Sequence, residues 1–325
     1  MHSKEGLHND LRPTLPERLA VADVLIKGGI IYLKESHKLS REGVVWYPLG
    51  SLCLPIMYRL TGRNLSNDML PLITYTSEYV RQADDLFDTG GKFPDWEKYQ
   101  DGTIQTKTRL SNAVEKSSLD PIKKQEMLKR FEALERKAYQ GFQQKEEWEN
   151  DPSFEQAYNY RLDTVGTMWE AVALWWSIAT DVPEEKREAV RKAMIKTGMV
   201  SQYLDDLMDM SDDTPMDGNL VWAILNENQE EKKAIEEVLQ NIKSKPKIMD
   251  LFVQYAPKSV ERFLKGIDTE LIGIKNISPS AERLGRGIVK IALPRIVISK
   301  GGFYNKLTLL PYLQKFLAHR DLIRS

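Results

Sequence analysis

Prolines punctuate this chain at nearly even intervals. Pro121, Pro152, Pro183, Pro215 and Pro246 stand about thirty residues apart. A proline ends or kinks a helix, because it lacks an N–H and its ring meets the preceding turn. Each interval is still long enough for a helix of several turns, and the residues inside keep a helical period. "DPIKKQEMLKRFEALERKAYQGF" places Ile122, Met127, Phe131, Leu134 and Ala138 at steps of three to five. "DVPEEKREAVRKAMIKTGMVSQYLDDLMDM" offers Asp181 as an N-cap and Glu184 and Glu185 for the first turn, then an apolar stripe of Val190, Met194, Met199 and Tyr203. Strand alternation is scarce. The expectation is an all-α chain of ten or more helices, with a loose tail over residues 1–14 and a single domain over 15–325. Loops are expected around Gly90-Gly91, Thr214-Pro215 and Gly301-Gly302.

Composition removes several function classes. A net charge of −1 gives no electrostatic case for nucleic acid or an anionic membrane. The one cysteine, Cys53, lies in an apolar run, cannot form an internal disulfide and reads as buried. The N-terminus has no apolar h-region, and no stretch of ~20 uncharged apolar residues is present. No transmembrane segment and a cytoplasmic location are therefore expected. The histidines at 2, 8, 37 and 319 form no H-x-x-x-H pair, so a zinc site is not expected. Nucleophile elbows, Walker loops and dinucleotide fingerprints are absent.

Two short stretches carry the chemistry. In "ADDLFD", Asp84 and Asp88 share a helix face with Asp85 beside them. In "SQYLDDLMDMSDD", Asp205, Asp209 and Asp213 fall at i, i+4, i+8, flanked by Asp206 and Asp212. Like charges at that spacing cost a helix roughly 0.2–0.5 kcal/mol per pair. Their neighbours Leu86, Phe87, Leu204, Leu207 and Met208 are apolar, so neither stripe reads as a solvated face. Carboxylates crowded on a half-buried surface need a cation, and an all-oxygen ligand set suits Mg²⁺. An EF-hand loop is excluded by spacing, and a di-iron bundle by the lack of a nearby histidine.

Together with "YRLDTVGTMWEA" at 160–171, these stretches resemble the class I isoprenoid synthases. The likeness runs from about residue 20 to 310. It implies a helical bundle around a central active-site cavity. It also implies three Mg²⁺ ions that hold the diphosphate of a linear allylic substrate, with Asp84, Asp85 and Asp88 on one side and Asp205, Asp209 and Asp213 on the other. Homodimerisation comes with the resemblance. Departure of pyrophosphate builds negative charge that metal ions stabilise, and the carbocation left behind needs a dry aromatic wall. Tyr75, Tyr79, Phe87, Trp169, Trp175, Trp176 and Trp222 are candidates for it.

Within that family the chain departs from the elongating prenyl synthases. Their G-G-K-R-x-R-P and R-R-G segments are missing, Asp163-Thr164 replaces a K-T pair, and Asn219 stands where a lysine is usual. The spacing of Asp205, Asp209 and Asp213 matches the second motif of terpene cyclases, although Asp209 replaces a hydroxyl. Arg161 stands where they place a diphosphate-sensing arginine, ahead of a helix break here assigned to Gly166. Lys300, Tyr304 and Lys306 are further diphosphate ligands by the same likeness. "VRQADDLFD" and "TVGTM" are similar to segments of the head-to-head squalene and phytoene synthases, but the second motif is not theirs. The expectation is a Mg²⁺-dependent terpene synthase that ionises a C15 or C20 prenyl diphosphate and cyclises or quenches the cation. Chain elongation with isopentenyl diphosphate is the alternative. A head-to-head synthase and a non-catalytic synthase subunit rank below it.

Overall fold

The computed structural model describes residues 56–63, 65–66, 69–88, 94–210, 213–241, 248–287 and 289. No strand occurs among them. The tail, Cys53, Asp212, Lys300, Tyr304 and Lys306 lie outside these residues. The helices are α1 (Leu70–Asp88), α2 (Trp96–Lys116), α3 (Pro121–Gln143), α4 (Phe154–Arg161), α5 (Thr167–Ala179), α6 (Glu184–Asp209), α7 (Leu220–Asn226), α8 (Gln229–Asn241), α9 (Ile248–Tyr255) and α10 (Pro257–Lys275). A π-helical segment, Leu162–Gly166, separates α4 from α5. Residues 56–61 and 279–287 are also helical. None of the helices described is long and apolar enough to cross a membrane.

Three of the prolines mark boundaries, whereas Pro246 and the loops expected at Gly90-Gly91 and Gly301-Gly302 lie outside the described residues. Pro121 opens α3, Pro183 immediately precedes α6, and Pro215 opens a 3₁₀ turn, Pro215–Asp217. Proline suits the first helical turn because no intrahelical acceptor awaits its missing N–H. Aspartates supply two N-caps: Asp95 accepts from the Lys98 N–H at 3.0 Å, and Asp120 from the Lys123 N–H at 2.9 Å.

Asp181 is not the cap of α6. It adopts a positive φ of 53° in the turn after α5, and its carboxylate pairs with Lys123 at 2.7 Å. The Arg63 guanidinium donates to the Thr180 and Asp181 carbonyls and closes that turn. The stripe of α3 also differs from expectation. Met127, Phe131 and Ala138 are buried, but Ile122 is 79% exposed and Glu135 takes a place in the stripe at 0% exposure.

The described residues group into two compact units. One takes residues up to 146, 162–198 and 271–287. In it α2 lies against α1 and α3, and α5 packs on α1, α3 and the π segment. α5 buries residues around its whole circumference, among them Met168, Ala171, Val172, Trp175 and Trp176, which makes it the core helix of this unit. Burying each such large side chain stabilises by about 1.5–3 kcal/mol. Trp175 donates its indole N–H to Thr76 at 3.0 Å. Glu135 accepts from the Tyr79 hydroxyl at 2.7 Å and pairs with Lys107 at 2.6 Å, so the buried charge has its partners.

The other unit takes 147–161, 199–270 and 289. There α7 packs on α4 and α8, and α8 on α9. Glu231 of α8 accepts from the Lys258 and Ser259 N–H groups, each at 2.8 Å, and so caps α10 from a distance. Tyr203, Phe252 and Phe263 form an edge-to-face aromatic core.

Candidate active site

Both acidic motifs end helices. α1 terminates in Asp84, Asp85 and Asp88, and α6 in Asp205, Asp206 and Asp209. Neither last turn holds a basic residue. A helix C-terminus carries partial negative charge, and each carboxylate placed there costs roughly 0.3–1 kcal/mol. A helix that stacks acids at its unfavourable end lowers its energy by meeting a cation.

At the first end Asp84 is half-buried and Asp85 exposed. The buried face of α1, with Leu72, Tyr79, Ala83 and Phe87, sets their direction. Phe87 stacks on Phe142 at 4.5 Å and so fixes the last turn.

The second end is sunk. Asp205 is 8% exposed and Asp206 1%, whereas Asp209 and Asp213 are half-buried. Asp206 Oδ1 accepts from Arg161 Nη2 at 2.9 Å and from Gln202 Nε2 at 2.6 Å. Its Oδ2 accepts from the Leu220 N–H at 2.8 Å. Burial pushes this carboxyl up from the usual carboxylate range, and the Arg161 guanidinium, the Leu220 N–H and the Gln202 amide pull against it. Asp213 is pushed up to about 7, mainly by burial. Its hydrogen bond from Asn219 opposes that shift, and the Asp206 and Asp209 carboxylates reinforce it.

Asn219 joins the parts together. Its Oδ1 caps α7, accepting from Val221 and Trp222 N–H at 2.8 and 3.2 Å. Its Nδ2 donates to the Asp206 carbonyl and to Asp213 Oδ2, both at 2.8 Å. The Trp222 indole N–H donates to the Met210 and Asp213 carbonyls at 3.2 and 3.1 Å. Gly218, at φ 73°, turns the chain into this clamp, and a Cβ there would sit 2.8 Å from the Tyr160 ring.

The expected break in the middle helix takes a particular form. The helix does not stop at Gly166; it widens into the π turn that begins just after Arg161. Such π turns recur at functional sites. Gly141 of α3 admits this turn: a Cβ there would lie 2.9 Å from Asp163 Cβ and 3.0 Å from its carbonyl carbon. Gln144 Nε2 holds Asp163 Oδ2 at 2.8 Å.

No protein-family model and no curated protein matches the sequence. Among solved structures, the geranylgeranyl pyrophosphate synthetase from Pyrococcus horikoshii Ot3 superposes with a TM-score of 0.54 at 16% identity, over 84% of this chain and 95% of that one. This chain has an isoprenoid synthase fold. The geranylgeranyl pyrophosphate synthetase from the archaeon Geoglobus acetivorans superposes at 0.49 with 14% identity, over 89% and 94% of the two chains.

An isoprenoid synthase fold raises the question of Mg²⁺. Among the described residues, no three His, Cys, Asp or Glu side chains converge into a cage for a metal ion. Mg²⁺ commonly takes one or two carboxylates and completes its shell with water and phosphate oxygens, so it needs no such cage. An open groove of about 900 Å³ lies in the second unit, lined by Glu149, Asp151, Gln156, Met216, Glu227 and Lys232 among others. None of the sequence-predicted site residues lines it.

Sequence reasoning missed Asp206 and Asn219. Asp206 was legible only as a flank of the stripe, and Asn219 only as an absent lysine. Of the aromatic candidates, Tyr75, Tyr79, Phe87, Trp175, Trp176 and Trp222 are buried and Trp169 is half-buried. Tyr79 meets Phe131 edge-on at 5.3 Å and Tyr99 at 6.5 Å.

Proposed function

We propose that this chain is a Mg²⁺-dependent enzyme of allylic prenyl diphosphates, and that it transfers the prenyl group to isopentenyl diphosphate. The reading is carried by the fold shared with a chain named a geranylgeranyl pyrophosphate synthetase, over 84% of this chain. That likeness favours prenyl transfer over the cyclisation expected from the sequence motifs. The two acid-terminated helix ends support the metal part of the reading.

Asp84, Asp85 and Asp88 would hold Mg²⁺ from α1, and Asp205, Asp209 and Asp213 from the second motif. Bound there, Mg²⁺ supplies Lewis-acid stabilisation of the charge on departing pyrophosphate. Arg161 binds the diphosphate, and Lys300, Tyr304 and Lys306 are assigned the same task. The allylic C–O bond breaks, and pyrophosphate leaves with the electron pair. The π bond of isopentenyl diphosphate then attacks the allylic C1, and a proton is lost to restore a double bond. No protein nucleophile takes part.

A second reading has a specific observation behind it. Asn219, where elongating enzymes carry lysine, is neutral and makes four hydrogen bonds within the protein. It has nothing to offer a second diphosphate, which favours a terpene synthase that uses one diphosphate alone.

The test is a product assay with Mg²⁺ and C10, C15 or C20 allylic diphosphates, each with and without isopentenyl diphosphate. Mass spectrometry should find a longer diphosphate, made only when both substrates are present. A hydrocarbon or alcohol from one allylic substrate alone would replace prenyl transfer with the terpene synthase reading. Absence of pyrophosphate release under every condition would remove both.

A further inference from the structure

We propose that Asp206 is not a metal ligand but the positioning residue of the second acidic motif, holding Arg161 in the orientation in which it meets a diphosphate. The inference rests on the diphosphate reading above. By sequence Asp206 occupies the same place in its motif as Asp85 does in the first, the second of two adjacent aspartates. By geometry it does something else. Asp85 faces solvent, whereas Asp206 is fully buried and both of its oxygens are spent. Oδ1 takes the Arg161 guanidinium and the Gln202 amide; Oδ2 takes the Leu220 N–H at the start of α7. A carboxylate accepting three hydrogen bonds inside the protein is poorly placed to trade them for a cation.

Its position explains why it is there. Asp205 lies one residue before it on α6 and Asp209 three residues after it, so the strut stands among the proposed ligands. Arg161 closes α4, and the π turn begins at the next residue. A guanidinium carries five N–H donors in a rigid fork. Asp206 engages it through Nη2, which sets the direction of the whole planar group. One buried carboxylate therefore registers the arginine against both metal-binding positions of α6. Supporting groups of this kind typically change affinity 10–100-fold when removed.

The experiment uses the full chain, with inorganic pyrophosphate and Mg²⁺ as the probe in titration calorimetry. Circular dichroism establishes that each variant is folded, and NMR of the arginine side chains follows Arg161. Asp206→Asn should weaken pyrophosphate binding about 10–100-fold and leave the half-saturating Mg²⁺ concentration unchanged. It should also move the Arg161 guanidinium resonance. Arg161→Ala should weaken binding to a similar degree, and the double variant should bind no worse than Arg161→Ala alone. Should Asp206→Asn fail to fold, Arg161→Lys keeps the charge, loses the fork and should reproduce the same loss. A raised Mg²⁺ requirement in Asp206→Asn would make Asp206 a ligand, and additive losses would uncouple it from Arg161; either result overturns the proposal. So does wild-type binding in Asp206→Asn, or in Arg161→Lys where that is the variant that folds; in that case the functional reading survives. Wild-type protein that binds no pyrophosphate would instead remove the reading and the inference with it, even with the Arg161 resonance intact.

Discussion

The two acidic helix ends share a pattern of aspartates at i, i+1 and i+4, yet they are built differently. At the end of α1 the second aspartate, Asp85, is exposed. At the end of α6 its counterpart, Asp206, is buried beneath an arginine, an amide and a backbone N–H. Identical spacing has therefore produced a solvent-facing carboxylate in one place and a buried strut in the other. The motif specifies a helix face; what packs on that face decides the role of each residue.

The largest effect that sharpens this contrast is on stability. Asp206→Ala leaves the buried Arg161 charge without its carboxylate, and removing one partner of a buried pair costs about 3–5 kcal/mol. Asp85→Ala removes an exposed side chain, whose surface interactions are worth about 0–1 kcal/mol, and should cost no more than about 1 kcal/mol. Urea denaturation followed by circular dichroism measures both. Equal losses at the two positions would erase the distinction.

The next effect is on chemistry and runs across the contrast. Asp84→Asn, Asp85→Asn and Asp205→Asn should each reduce magnesium-dependent pyrophosphate release at least about 100-fold, because several kcal/mol of charge stabilisation is at stake. Asparagine keeps the shape, so melting temperatures should change little. Turnover in Asp85→Asn equal to wild type would withdraw the first helix end from the metal site.

How much of this was legible beforehand follows from the range of each interaction. The aspartates of each helix end are local, set by residues one and four apart, and a helical period suffices to find them; Asp213, expected to extend the second stripe, lies past the end of α6 at Asp209 and outside that period. The prolines that open α3 and precede α6 are local signals too. The partner of Asp206 is 45 positions away, and no window of sequence brings Arg161 to it. Glu135 broke the apolar stripe of α3 for the same reason: the Tyr79 hydroxyl that satisfies it comes from 56 positions away. Asp181 had the right chemistry for a cap, but a turn held by Arg63 drew it into the left-handed region instead. Tertiary partners decided each of these places, and they overrode the local preference.

The smallest effect tests whether the sunken end is held together as a unit. Asn219 acts twice, as the N-cap of α7 and as a donor to Asp213 and to the Asp206 carbonyl. Asn219→Ala should lose both, for a cap alone about 1 kcal/mol. Serine is as good an N-cap as asparagine but has no amide to extend toward Asp213. Asn219→Ser should therefore recover the capping part in urea denaturation while magnesium-dependent pyrophosphate binding stays weakened, because Asp213 is no longer held. Full recovery of binding with serine would mean that Asp213 keeps its place without Asn219. The second motif would then have only Asp206 as a strut, and its difference from the first would shrink to one residue.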